Sequence, residues 1–73
     1  MFDGSFQLDG NTINYKIIDD SLENKIVNGQ EKMSRWFNYY DASGKLITTK
    51  IAYDSTDELQ NITPEYAKKL YTE

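Results

Sequence analysis

Met33-Ser-Arg35-Trp36-Phe37-Asn-Tyr39-Tyr40-Asp41-Ala-Ser-Gly44-Lys-Leu46-Ile47-Thr-Thr-Lys50-Ile51-Ala52-Tyr53 sets two runs of aromatic and β-branched residues on either side of a four-residue turn signal. Such residues fit the pleated surface of a strand, so the stretch reads as a β-hairpin. Asp41 can hydrogen-bond to its own backbone to open a type I turn, and Gly44 can take the left-handed conformation that the return strand requires. Facing Tyr40 against Lys45 gives a register. One surface then carries Trp36, Tyr40, Ile47, Ile51 and Tyr53, and the other carries Met33, Phe37, Tyr39, Leu46 and Ala52. A hairpin with one wet face alternates apolar and polar residues, whereas this one is apolar on both. The expectation is that one face builds the core and the other is shown to a partner.

Composition narrows what such a chain can do. At 73 residues it is expected to form a single domain over 1–73, near the size at which an unstapled core becomes marginal. There is no Cys and no His. That removes disulfides, thiolate chemistry, the usual structural zinc sites and imidazole acid–base catalysis. A formal charge of -4 disfavours nonspecific binding to nucleic acid or anionic membranes and favours a basic partner. No apolar run reaches the roughly 20 residues of a membrane span, and the first residues lack a signal-peptide pattern, so the expected location is cytoplasmic. Arg35 is the only Arg, and Lys, Asn, Ile and Tyr are frequent, as AT-rich coding produces.

Outward from the hairpin, the N-terminal segment repeats its logic. Phe6 and Leu8 alternate with polar residues, Asp9-Gly10-Asn11 marks a tight primed turn, and Ile13, Tyr15 and Ile17 alternate on the way back. Those five apolar residues share one face, and Gln7, Thr12, Asn14 and Lys16 share the other, with Ile18 the exception at its end. Asp20 to Gly29 has two readings. Asp20 with Glu23 resembles a capping box, with Leu22 and Ile26 on one helical face and Gly29 as the stop, while Asn28-Gly29 is equally a hairpin turn. Laying Gly10 on Gly44 also matches Ile13 with Ile47, Ile17 with Ile51 and Asp20-Ser21 with Asp54-Ser55. This tips the segment toward a short helix and suggests a ββα-ββα repeat. The C-terminus is the clearest helix, with Thr63 as cap, Pro64 in the first turn, Ile62 as a staple onto Ala67, and Tyr66, Ala67, Leu70 and Tyr71 as its apolar stripe.

Three constellations could carry function. The acids Asp54, Asp57 and Glu58, with Asp19, Asp20 and Glu23, could gather a divalent cation, but neither group has calcium-loop spacing; helix caps and solvated turns account for both. Spaced carboxylates can also mimic phosphates in the groove of a DNA- or RNA-handling protein. Ala52-Tyr53-Asp54-Ser55-Thr56-Asp57-Glu58 with Pro64-Glu65-Tyr66 is similar to a stretch of the phage uracil-DNA glycosylase inhibitor family, which are DNA mimics. The resemblance covers little of the chain, that family has one extra residue after the Asp, and its acidic strand and N-terminal helices have no counterpart here. No residue role transfers. Thirdly, Trp36, Phe37, Tyr39 and Tyr40 resemble the stacking platforms of single-strand binders, although those sit in basic grooves. Core packing and a protein hot spot are the competing uses of the same rings.

Together these readings predict an α+β fold: an antiparallel sheet of about four strands from two β-hairpins, packed by a C-terminal helix. The function expected is that of a non-enzymatic protein-binding module without cofactor or metal, a phage- or mobile-element-type inhibitor or accessory factor for a basic, nucleic-acid-handling host protein. Its contact residues would be Arg35, Trp36, Tyr40, Ile47, Ile51 and Tyr53, rimmed by Asp54, Asp57 and Glu58. The alternatives are a small single-stranded nucleic-acid-associated protein that stacks bases on the aromatic strand, and an assembly subunit that buries its apolar face in a homodimer.

Overall fold

The strand around Trp36 is the spine of the molecule. In the computed structural model, which describes residues 1–18 and 23–73, the chain forms β1 (Gly4–Leu8), β2 (Asn11–Ile17), β3 (Glu23–Val27), β4 (Gln30–Tyr40), β5 (Leu46–Asp54), α1 (Thr56–Gln60) and α2 (Pro64–Thr72). All strand pairings are antiparallel. β4 carries β5 along one side, with Trp36 opposite Ile51 and Phe37 opposite Lys50. Its other side is shared: β3 pairs with the first half, Asn24 opposite Met33, and β2 with the second, Tyr15 opposite Tyr39. β1 completes the sheet beyond β2, with Phe6 opposite Ile13.

Two expectations are corrected here. The described part of the ambiguous segment is strand β3, not a helix, so the sheet has five strands among the described residues and the ββα-ββα repeat does not hold. Asp20 and Ser21, which carried the capping-box and repeat arguments, lie outside the described residues. The deciding signal was Asn28-Gly29. Its φ angles of 52° and 79° are those of a type I′ hairpin turn, whose twist matches that of the flanking strands, and Asp9-Gly10 has the same pair. The second correction concerns register. Tyr40 faces Leu46 rather than Lys45, and a one-residue shift falls between Tyr39 and Tyr40. The Asp41 turn itself forms as expected: its carboxylate accepts from the Ser43 and Lys45 amides at 2.9 and 3.0 Å and from the Ser43 hydroxyl at 2.6 Å.

Both helices lie on one face of the sheet. Ser55 caps α1 by accepting from the Glu58 amide at 3.3 Å, and Thr63 caps α2 by accepting from the Tyr66 amide at 3.1 Å. Beneath them Phe6, Ile13, Tyr15, Phe37, Tyr39 and Ala52 from the sheet meet Leu59, Ala67 and Leu70. Leu8, Ile17, Met33, Ile62, Tyr66 and Tyr71 close the margins. Rings dominate this core: Tyr39 packs at 4.8 Å from Tyr71 and Phe37 at 6.2 Å from Tyr66, with Phe6 at 5.8 Å from Tyr71. Tyr39 buries its hydroxyl by donating to the Ala67 carbonyl at 2.9 Å, which ties α2 to β4. Burial holds that phenol well above its ordinary titration range. No helix among the described residues is long and apolar enough to cross a membrane.

Candidate functional site

The two apolar faces of the β4–β5 pair meet different fates. Phe37 and Tyr39 are fully buried and Ala52 nearly so, whereas Trp36 on the opposite face keeps 39% of its surface in solvent and Tyr53 keeps 42%. Period-two alternation along both strands enforces the split. The outer face is built from rows of cross-strand neighbours. Trp36 stands opposite Ile51, and Ile18 extends that row from β2, its amide donating to the Trp36 carbonyl at 3.0 Å. On one side lies the row Lys16–Asn38–Thr49, where the Thr49 hydroxyl donates to the Asn38 side chain at 2.6 Å. On the other side lie Ser34 and Tyr53. Farther toward the turn, Tyr40 is half-buried against Phe2 at a ring distance of 4.9 Å.

The expected contact residues do not all gather here. Trp36, Ile51, Tyr53 and Tyr40 share the outer face. Ile47 is displaced by the register shift: it lies at the turn end of the sheet in a shallow depression with Thr12, Ile13 and Ala42. Leu46, expected on the buried face, is exposed opposite Tyr40. Arg35 belongs to the helix-covered face, where its guanidinium donates to the Leu59 carbonyl at 2.6 Å and so caps the end of α1. Asp54 also turns toward the helices: one oxygen accepts from the Ser55 amide at 2.9 Å and the other from the Tyr66 hydroxyl at 3.3 Å. Burial, and then the Asp54 charge, push the Tyr66 phenol up to about 12. Asp57 and Glu58 are exposed in the first turn of α1, where a helix favours negative charge. The acidic rim and the aromatic patch are therefore on different sides of the sheet. The cations Lys16 and Lys32 stand with the patch on its own face.

Sequence reasoning missed Phe2 and Ile18 as members of this surface. Ile18 was legible as the one apolar residue breaking the polar face of the first hairpin. Phe2 lies outside any strand pattern, and its packing on Tyr40 follows from the tertiary fold alone. Among the described residues no three acids converge as a metal site would require. Comparison with protein families, curated proteins and solved structures gives no match to the chain.

Proposed function

We propose that this chain is a small non-enzymatic protein-binding module that docks through the outer face of β4 and β5, with Trp36 as anchor and Tyr40, Ile51 and Tyr53 around it. The observation that supports it is the aromatic and aliphatic row Ile18–Trp36–Ile51 beside Tyr53, half-open to solvent on the sheet face that no helix among the described residues covers. Trp and Tyr seated among aliphatic side chains have the composition of a binding hot spot. The net charge of -4 favours a basic partner through the long-range field, consistent with an inhibitor or accessory factor of phage or mobile-element type acting on a nucleic-acid-handling protein. In this reading Asp57 and Glu58 steer association from a distance, and Arg35 and Asp54 act as internal braces instead of contacts.

One observation favours a second reading, base stacking on Trp36 and Tyr40, because Lys16 and Lys32 share their face. The two separate in one experiment. Wild type and Trp36→Ala are immobilised, challenged with lysate of a low-GC bacterium, and the retained proteins are identified by mass spectrometry; a labelled single-stranded oligonucleotide is titrated in parallel at two salt concentrations. The docking reading expects a protein lost from Trp36→Ala by ~2 kcal/mol or more of affinity with the fold intact, and no oligonucleotide binding. Salt-sensitive oligonucleotide binding supports the second reading. Unfolding of Trp36→Ala, or full retention of the protein, overturns the first.

A further inference from the structure

We infer that β5 is a dimerisation edge, pairing antiparallel with β5 of a second copy of this chain about a two-fold axis at Ala52. The hydrogen-bond phase of β4 fixes where the β5 backbone points. The Trp36 carbonyl accepts from the Ile18 amide, so the backbone groups of Trp36 face β2. Antiparallel ladders alternate hydrogen-bonded and non-hydrogen-bonded pairs, which makes Trp36–Ile51 a non-bonded pair of the β4–β5 ladder. The N–H and C=O of Ile51, and by period two those of Thr49 and Tyr53, therefore point away from β4. Among the described residues no strand lies on that side.

Long edges of this kind invite pairing unless they carry Pro, a free charge or a bulge. From Thr48 to Tyr53 β5 has no Pro, and its one charge, Lys50, turns inward, with its ammonium bound to three carbonyls at the end of α2. The shift at Tyr39 and Tyr40 lies beyond this stretch.

What selects a second copy as the occupant is the self-complementarity of the strand. Thr49-Lys50-Ile51-Ala52-Tyr53-Asp54-Ser55 reads, in chemical class, the same from either end except that the charges are of opposite sign. A two-fold axis at Ala52 sets Ile51 against Tyr53 and Thr49 against Ser55, each twice, with the smallest side chain on the axis; Lys50 and Asp54 also stand opposite one another, their charges already met on the helix side of their own chain. The outward-facing Ile51 and Tyr53 become the hydrogen-bonded pairs, as the backbone phase demands. An axis at Lys50 would oppose two like charges, and one at Ile51 would leave Asp54 opposite Thr48. The axis runs perpendicular to the sheet, so both outer faces stay on one side. Three strand spacings of about 4.8 Å then hold the two Trp36 positions on strands roughly 14 Å apart, and Trp36, Ile51 and the second copy's Tyr53 form one continuous surface. This goes beyond the docking function proposed above and does not depend on it, since pairing at the β5 edge does not cover the solvent-exposed part of either indole.

Sedimentation equilibrium over a concentration series tests the edge, and charge-swapped chains test the register. Wild type is expected at twice the 8.5 kDa chain mass, with Ile51→Glu and Tyr53→Lys each folded by circular dichroism and at half the wild-type mass. Mixing those two variants should restore the doubled mass, because Glu at 51 then faces Lys at 53 across the axis. If either charged variant fails to fold, Tyr53→Pro replaces it, since it deletes one outward N–H and no bond to β4. A wild type that stays at single mass throughout the series, or single variants that remain dimeric, overturns the edge. Failure of the mixture to reassociate overturns the Ala52 register.

Discussion

Lys50 offers a direct test of how the sheet holds its C-terminal helix. It stands in β5 opposite Phe37, and its Nζ donates to the carbonyls of Leu70, Tyr71 and Glu73 at 3.1, 2.8 and 2.7 Å. The last carbonyls of a helix have no partner within it and carry the negative end of its dipole. One half-buried cation thus serves the backbone oxygens of Tyr71 and Glu73, which would otherwise depend on water, and adds a second donor at that of Leu70, which also accepts from the Glu73 amide at 3.3 Å. Lys50→Met keeps the aliphatic stem and removes the ammonium. A cation at a helix C-terminus contributes about 0.3–1 kcal/mol when exposed and up to about 2 kcal/mol when partly buried. Three simultaneous bonds place Lys50 near the upper end, and the desolvation of its ammonium subtracts from that, leaving an expected loss of ~1.5–2 kcal/mol. For a chain of this size that lowers the melting temperature by about 6–16 °C. Urea denaturation followed by far-ultraviolet circular dichroism would measure the loss, with all variants at one protein concentration because association shifts apparent stability. Lys69→Met, in the exposed last turn of the same helix, is the control and should cost a few tenths of a kcal/mol at most. If Lys50→Met is within ~0.5 kcal/mol of wild type, or matches Lys69→Met, the three bonds only replace hydration and the reasoning fails.

Other consequences can be checked with the same assay. Thr63→Ala should cost ~1 kcal/mol through the lost cap, and Leu70→Ala ~2–4 kcal/mol through the cavity left in the core; silence of both would mean that α2 is not docked. Gly4→Ala should cost ~1–3 kcal/mol, because a Cβ there would come within 2.7 and 2.8 Å of ring atoms of the buried Tyr15, and an unchanged midpoint would show that the ring can retreat. Tyr66 titrates higher folded than unfolded, about 12 against the ordinary value of about 10, so the stability tied to its protonated form is complete below pH 10 and lost as pH rises toward 12. Tyr66→Phe should flatten the fall in stability over that window, and a profile as steep as wild type would assign the alkaline transition elsewhere.

Most of the sheet was legible because two signals agreed at each hairpin: residues suited to one strand face and a turn with a stated geometry. Phe6, Leu8, Ile13, Tyr15 and Ile17 turn to the core together, and the Trp36 and Phe37 faces divide as their alternation requires. The failures have physical causes. At Asp20–Gly29 a capping pattern and a self-match outweighed Asn28-Gly29, although a paired positive-φ turn constrains the backbone more tightly than residues that merely tolerate a helix. The site was half legible. Which face Trp36 occupies follows from period two, but the rim did not, because Arg35 and Asp54 alternate onto the helix side, and a residue's distance along the chain says nothing of which side of a sheet it reaches. The displacement of Ile47 came from a one-residue shift that no composition signals.

The way β3 is attached sets a hierarchy in how the molecule opens. β3 bonds to β4 alone, through Glu23–Val27 against Gln30–Ser34, and among the described residues it supplies no member of the core; its Ile26 is 78% exposed. Phe37 and Tyr39 are locked instead beneath the helices, between β2 and β5, with Ala52 of β5 beside them in the core. Amides bonded between β3 and β4 should exchange with solvent through a local opening that leaves the aromatic core intact, while those bonded between β4 and β5 at Phe37 and Tyr39 wait for global unfolding. The spine strand thus spans two tiers of stability, and the turn that settled its topology sits at the end that lets go first.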